Sequence, residues 1–380
     1  MFRLLQSLPE SVEIGQPRLV RLWPFAHRRT RGNAAVAVEL KPRNEDDLID
    51  FLNQYWNNIL LPLKGDVEES NHNDRRQYPA DPGMVWFSDV ESNDAFYRKG
   101  LTEEIQLHEL PIATKAWGGH GRIGATLAVH WPCESSTYEA IGWRMDGAVG
   151  ERCLDENAIA LVDQMDGTFL CRDGRLGTSI LAPRGASPVL FGVRTWTMHS
   201  ARVALDTMLH SEGTEQVAGS MIFKTNQATN DHLVDIISVK IESIEVLKGG
   251  HTLLRSPTNR FMAFKESGEI ATICQQLRVG DIFECRGMKA PDGSIHIEFL
   301  RVVHLEPDRT RPLCPTCDKA MTSMGRNQGL RCKKCGFQRD DAWEESFRSL
   351  PMNEWIQPPP SSRRHLAKPL DGHPIRQNNL

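Results

Sequence analysis

The sequence predicts an α+β multidomain protein that closes on a small β-barrel and a compact cysteine-held module. Three observations carry this expectation. The chain has 380 residues, 40% of them apolar and 25% charged, which is more than one hydrophobic core usually organises and is the balance of folded domains. Residues 235–305 alternate apolar and polar side chains in short runs, interrupted by one helical stretch. Four of the nine cysteines fall in one short window as two Cys-x2-Cys pairs.

The first 233 residues mix strand and helix patterns. Arg18 to Trp23 alternates, His27 to Asn33 is a basic turn, and Ala34 to Leu40 is a buried-type run, so this stretch reads as strand, turn, strand. Glu45 to Leu61 reads as a helix with Leu48, Phe51, Leu52, Tyr55 and Ile59 on one face. Residues 64–83 read as an exposed polar loop. The Gly-rich run from Trp117 to Arg122 opens a helix-like apolar stretch, Ile123 to Val129. Residues 142–178 read as loop-rich. Pro188 to Arg194 reads as a buried strand, and Thr197 to Leu209 as a helix with Ala201, Ala204, Leu205 and Met208 inward. Such mixtures favour α+β domains.

The barrel follows. Ile237, Val239 and Ile241 alternate, as do Ile295, Ile297 and Phe299; Ile270 to Leu277 is the interrupting helix, and Pro291-Asp292-Gly293 marks a turn. Short strands around one helix fit an OB-type barrel, with any other small antiparallel barrel as the alternative. Residues 351–380 carry Pro358-Pro359-Pro360 and little apolar content, so they read as an extended arm.

Cys314, Cys317, Cys332 and Cys335 supply four soft thiolates, a set that suits a tetrahedral zinc ion. Four protein ligands leave no open position, so the metal is expected to be structural. The net charge of the chain is -4, yet residues 311–340 hold seven Lys or Arg against two Asp. A positive field gathered in one small module points to phosphate contact, with Lys333 and Lys334 facing outward, although such ribbons also serve protein contacts. The other five cysteines are scattered, which excludes a disulfide framework and points to a reducing compartment. No apolar run approaches a membrane span, and the short apolar start meets Glu10 and Glu13 too soon for a signal peptide. A cytoplasmic location is expected.

Other residue types suggest chemistry more weakly. Arg28, Arg29 and Arg31 beside Gly32 suit a phosphate, or simply a solvated turn. Gly119, Gly121, Arg122 and Gly124 could aim backbone N–H groups at a phosphate at a helix start; close packing is the alternative. Asp155, Glu156, Asp163, Asp166 and Asp173 cluster as either a cation site or a solvated face, and Asp155 is kept as a candidate. Asn226, Thr229, Asp231 and His232 form a polar group, with a helix cap as the other reading and His232 a candidate general base. Arg363, Arg364, His365 and Lys368 lie on the arm, where they could track RNA phosphates.

Cys314-Pro315-x-Cys317, followed by Gly325-Arg326-x-Gln328-Gly329-x-Arg331-Cys332-Lys333-Lys334-Cys335, resembles the C-terminal ribbon of the archaeal tRNA 2-agmatinylcytidine synthetases. The arm Pro359 to Leu370 is similar to that family's final motif. So are Pro17-Arg18-Leu19-Val20-Arg21-Leu22-x-Pro24 with Thr30-Arg31-Gly32-Asn33, Gly119-x-Gly121-Arg122-Ile123-Gly124-Ala125, Pro188 to Arg194, and Thr225-Asn226-Gln227-Ala228-Thr229-x-x-His232-Leu233. The motifs run in the family's order.

The resemblance implies a kinase-like domain over 1–116, a ferredoxin-like domain over 117–233, an OB-fold over 234–306, a zinc ribbon over 311–340 and a basic arm over 341–380. It implies a ligase that uses ATP and Mg²⁺ to activate C2 of the wobble cytidine of the isoleucine tRNA with CAU anticodon. Agmatine then displaces the phosphate, leaving AMP and phosphate. The enzyme is expected to work as a monomer. Residues expected to hold ATP are Arg31, Gly32, Asn33, Gly121, Arg122, Gly124, Asn226 and Thr229. Asp155 and His232 are expected at the chemistry. Lys333, Lys334, Arg363, Arg364, His365 and Lys368 are expected on RNA. The family opens with an Asp-Asp-Thr-Asp strand that nothing before Phe2 matches. A start at an internal methionine of a longer gene is the expected reason, and a tRNA-binding protein without the phosphoryl step is the alternative.

Overall fold

The computed structural model describes residues 1–29, 32–65, 78–183, 185, 187–340 and 344–370, and the backbone of 70–72 and 75–77. The chain divides into two compact units. The first comprises Met1–Leu233, Met288–Asp292 and the chain from Pro359 onward; the second comprises Val234–Gly287 and Gly293–Pro358.

The first unit is built on a six-stranded sheet. In chain order its strands are β1 (Arg18–Arg21), β2 (Ala34–Ala37), β3 (Thr137–Arg144), β4 (Thr168–Phe169), β5 (Val189–Thr195) and β6 (Val217–Thr225). Their spatial order is β4-β5-β3-β6-β1-β2. All neighbours are antiparallel except β6 and β1, which run parallel with Thr225 opposite Leu19. The sheet therefore passes without a break through residue 116, where a boundary between two domains is expected from the resemblance.

The helices are cut where capping residues stand. Asn44 caps α1 (Glu45–Tyr55) by accepting from the amide of Asp46, and Glu45, Asp46 and Asp47 complement the positive end of the helix. The helical pattern expected to reach Leu61 continues past Tyr55 as a π turn over Trp56–Leu60, which leaves Ile59 exposed while Leu48 and Leu52 stay buried. Asn93 caps α2 (Asp94–Thr102), α3 covers Gly121–His130, and Thr197 caps α5 (Met198–Leu209). A helix that loop-rich composition concealed, α4 (Glu156–Gln164), lies between them and buries Ala158, Ile159 and Val162. Likewise, the polar stretch 64–83 contains a strand pair, Ser70–His72 with Arg75–Gln77.

Two cores flank this sheet. Helices α4 and α5 bury Ile159, Val162, Ala204 and Met208 against Ala140, Leu190, Phe191 and Val193. Helices α2 and α3 bury Tyr97, Leu101 and Leu127 with Val20, Leu22 and Trp131, and Leu366 of the C-terminal arm joins them. The arm is extended apart from one turn at Pro360–Ser362. It is stitched down by backbone bonds: Ala228 N–H donates to His365 O and Asn230 N–H to Leu366 O, both at 2.9 Å. The amide of Lys368 donates to Asn230 Oδ1 at 2.7 Å.

Asp173 anchors the front of this strap. Its side chain is buried and accepts from the amide of Ser361 at 3.2 Å and from Arg175. Burial alone would push its carboxyl up; the bonds from Ser361 and Arg175 overcome this and hold it well below the usual carboxylate range. A depressed carboxyl stabilises the fold above its unfolded value and ceases to do so as pH falls through the folded one. Asp173→Asn is therefore expected to lower the melting temperature by a few degrees at neutral pH. That gap should narrow progressively as pH falls below about 4. A gap that stays constant in a thermal scan from about pH 7 to about pH 2.5 would contradict the anchoring role.

The second unit contains a six-stranded sheet and one helix. Its strands are β7 (Ile237–Lys240), β8 (Ser243–Val246), β9 (Thr252–Arg255), β10 (Arg260–Ala263), β11 (Ile282–Lys289) and β12 (Ile295–His304), in the spatial order β7-β11-β12-β10-β9-β8, with α6 (Glu269–Gln276) between β10 and β11. One core draws Val239, Leu254, Phe261, Phe283 and Ile297 together with Ile270 and Ile273 of the helix. The ribbon that follows holds three two-residue strands, Thr322–Ser323, Leu330–Arg331 and Gln338–Arg339.

A polar cluster and a candidate metal centre

Four adjacent strands of the first unit each bring one polar group to the same place. Arg21 ends β1, Glu139 lies on β3, Arg194 stands near the end of β5 opposite Glu139, and Gln227 follows β6 by two residues. Glu139 is 4% exposed and Gln227 fully buried. Glu139 Oε2 accepts from Gln227 Nε2 at 2.5 Å and from Arg21 Nη2 at 3.5 Å. Gln227 Oε1 accepts from Arg194 Nε at 3.2 Å, and the Nδ1 of His365 from the strap lies 3.0 Å from the same oxygen.

Two guanidiniums thus stand around one carboxylate, which bonds Arg21 directly and Arg194 only through Gln227. Burial pulls the Arg21 guanidinium below its ordinary value, and Arg194 adds repulsion while Glu139 opposes both. The His365 imidazole is held well below its ordinary value, first by repulsion from Arg21, with loss of water and Arg194 adding to it. The residue keeps solvent-facing surface, so the two guanidiniums carry most of this effect. The remaining net positive charge is the kind of uncompensated group that an anion satisfies. Gly32 stands beside it with φ +76°; a Cβ there would sit 3.0 Å from Arg21 Nη1 and 3.9 Å from His365 Nε2, so only glycine leaves the space open.

The residues expected at ATP fare differently. Arg31 lies outside the described residues. Asn33 holds the turn, donating to Trp23 O at 2.6 Å. At the start of α3, the amides of Gly119, Gly121 and Arg122 donate to Pro82 O, Asp81 O and Gly119 O. The Asp81 carboxylate accepts from His120 N at 2.8 Å, so the chain's own anion fills the helix start. Gly121 packs against the backbone at Gly83, and a Cβ at Gly124 would stand 3.1 Å from Ala35 Cβ. Close packing accounts for these glycines. Asn226 is fully buried; its Oδ1 accepts from Arg21 N at 2.7 Å, and its Nδ2 donates to Arg21 O and the Tyr97 hydroxyl. It positions Arg21 rather than reaching solvent. Thr229 Oγ1 donates to Asn226 O at 2.8 Å.

Of the two residues expected at the chemistry, Asp155 caps α4, accepting from Asn157 N at 2.8 Å, and none of its bonds reaches the cluster. His232 is 1% exposed. On the arm, Arg364 lies 5.2 Å over the Phe25 ring and Lys368 5.8 Å over Trp196. The amide of Arg363 donates to Pro359 O at 3.1 Å. Glu139 was missed because no local pattern marks it. Arg21 ends its strand and Arg194 is next to last in its own, each after apolar positions, a weak but readable signal of a functional strand end.

The second centre is the cysteine set. The ligand sulfurs of Cys314, Cys317, Cys332 and Cys335 all lie within 4.8 Å of one another. The pairs Cys314–Cys335, Cys317–Cys332 and Cys317–Cys335 stand 3.4, 3.3 and 3.6 Å apart, far longer than a disulfide. Sulfurs at about 2.3 Å from a tetrahedral zinc would be about 3.8 Å from one another. The set fits zinc closely. Lys333 and Lys334 are exposed beside it, as expected.

The chain matches the family models described as the TiaS FLD domain over residues 119–232 and the TiaS C-terminal zinc ribbon domain over residues 311–348. It is 30% identical to the isoleucine-tRNA 2-agmatinylcytidine synthetase TiaS of Archaeoglobus fulgidus, over 96% of this chain and 90% of that protein. The chain belongs to the tRNA 2-agmatinylcytidine synthetase family. A second member, from Pyrobaculum neutrophilum, is 29% identical over 95% of this chain and 88% of its own. Among solved structures, a tRNA fluorescent labeling enzyme aligns with TM-score 0.77 and 27% identity, covering 100% of this chain and 94% of its own. A family structure, the complex of TiaS with its isoleucine tRNA and ATP, aligns with TM-score 0.75 and 26% identity, covering 99% and 93%. The family assignment made from the motifs holds, as does a mixed α/β architecture ending in a zinc ribbon. Among the described residues no helix is long and apolar enough to cross a membrane.

Proposed function

We propose that this chain ligates agmatine to C2 of the wobble cytidine of the isoleucine tRNA with CAU anticodon, using ATP and Mg²⁺ and releasing AMP and phosphate. The observation that carries this reading is family membership along nearly the whole chain, covering 90% of the length of the Archaeoglobus relative. The cluster of Arg21, Arg194 and Gly32 supplies a phosphate pocket. Guanidiniums in a partly enclosed site act more strongly on phosphoryl oxygens than they would in water, and their planar forks bind them bidentately. Asn226 serves it by fixing the Arg21 backbone. Zinc, when bound by the four cysteines, holds the ribbon's shape, and the exposed Lys333 and Lys334 meet RNA phosphates.

The finer domain reading rests on the same footing. Strands β7 to β12 around α6 support an OB-type barrel over 234–306, and 1–116 and 117–233 are read as kinase-like and ferredoxin-like parts sharing one sheet. None of the nine cysteines is paired in a disulfide, which suits the cytoplasm.

The test supplies the purified chain with ATP, Mg²⁺, agmatine and the tRNA transcript. The expected result is AMP in step with modified cytidine at the wobble position, both lost when agmatine or ATP is left out. Retention of tRNA without any AMP or modified base would sink the ligase reading.

A further inference from the structure

The cluster contains one group whose arrangement goes beyond electrostatic attraction. Gln227 Oε1 already accepts from Arg194 Nε, so the atom facing His365 is an acceptor and His365 Nδ1 must donate to it. Gln227 is itself fixed by Glu139, which accepts from its Nε2. The imidazole is therefore oriented, with its lone pair at Nε2, on the side where Gly32 leaves open space. The charged groups that face the ring are Arg21 from β1 and Arg194 from β5, with Glu139 of β3 one hydrogen bond behind Gln227. An empty pocket keeps the ring neutral because both guanidiniums repel a proton. A phosphate group between them reverses that field.

We propose that the C-terminal strap supplies His365 as the third arm of the phosphate pocket: on binding of a phosphate group, Nε2 takes a proton from solvent and donates it as a hydrogen bond to a phosphoryl oxygen. This rests on the phosphate-pocket reading above and deepens it. The two backbone bonds of the strap at Ala228 and Asn230, and the buried Leu366 next to His365, hold the imidazole in place. ATP and the tRNA backbone both carry such a phosphate, and the recognising chemistry is the same for either.

Calorimetry of the full chain tests it, with ATP–Mg²⁺ and, separately, the tRNA transcript titrated in two buffers of different ionisation heat. The wild-type chain is expected to take up a proton, approaching about one per ligand bound at pH between the pKa of the ring in the free site and its raised value in the liganded one. His365→Asn keeps a donor toward Gln227 and removes Nε2. It is expected to bind about tenfold more weakly and without proton uptake. His365→Gln gives a second, independent variant, and Arg194→Gln tests the pocket alone. Loss confined to ATP assigns the pocket to the nucleotide, and loss confined to the transcript assigns it to RNA; either supports the proposal. Unchanged affinity and proton uptake in both His365 variants, with weakened binding by Arg194→Gln, would overturn it and leave the pocket standing. If Arg194→Gln also binds normally, or the wild-type chain binds neither ligand, the pocket reading fails and the proposal with it.

Discussion

Cys335→Ser is expected to release zinc from the ribbon, unfold that module and weaken tRNA binding by about tenfold or more, while ATP binding is kept. The reason lies in how little else holds the module together. Its buried apolar cluster is Met321 and Leu330 with the cysteines themselves, on strands of two residues each. A core of that size cannot offset the entropy of ordering the chain, so metal binding and folding are one process. With the shape go the exposed cations Arg311, Lys319, Arg326, Arg331, Lys333 and Lys334, whose joint field depends on their being held on one small body. Metal analysis should show the loss of one zinc per chain. Gel-shift titrations against salt should show a shallower slope for the variant, because fewer neutralised phosphates release fewer counterions. Normal tRNA affinity in a zinc-free variant would remove the ribbon's role as a grip.

The ribbon was legible because its chemistry is local: two Cys-x2-Cys pairs declare the ligands within one short window. The strands and the helix of 235–305 were legible for the same reason, through period-two alternation and one helical interruption. The polar cluster around Glu139 is the opposite case. Its members lie at 21, 139, 194, 227 and 365, and only the register of β5, β3, β6 and β1 and the return of the strap bring them together. Sequence motifs contained four of them, but no spacing distinguishes Arg21, whose guanidinium meets Glu139, from Asn226, which holds the Arg21 backbone. Asp155 and Asp173 show the same limit. Both are acids in a polar stretch; one caps a helix, and the other is buried as the anchor of the strap. Burial depends on what packs over a residue, and here that is a segment almost two hundred positions later. Helix α4 was hidden for a different reason: it is short, and Ala158, Ile159 and Val162 are its whole buried face.

Glu139→Ala is expected to cost about 3–5 kcal/mol of stability, the usual penalty for breaking a buried charge cluster by removing one partner. The carboxylate is 4% exposed and lies between Arg21 and Gln227. Without it, two guanidiniums face each other with no anion, and Gln227 Nε2 loses its acceptor. In a domain of this size the loss amounts to a fall in melting temperature of roughly 10 °C. Glu139→Gln separates the two contributions. Its amide oxygen can still accept from Gln227, so the packing and the hydrogen bond survive while the charge goes. That variant should melt at an intermediate temperature, and it should be stabilised by ATP–Mg²⁺ more than the wild type is, because a bound phosphate now supplies the only negative charge in the cluster. Stability and ligand binding move in opposite directions here, which a purely structural role for Glu139 would not produce. Equal stabilisation of Glu139→Gln and wild type by saturating ATP–Mg²⁺ in a thermal scan would show that the bound phosphate does not share the field of Arg21 and Arg194. If the two proteins differ as expected, Glu139 sets the strength of the proposed phosphate site: enough negative charge to let two half-buried arginines stand side by side, and too little to satisfy both.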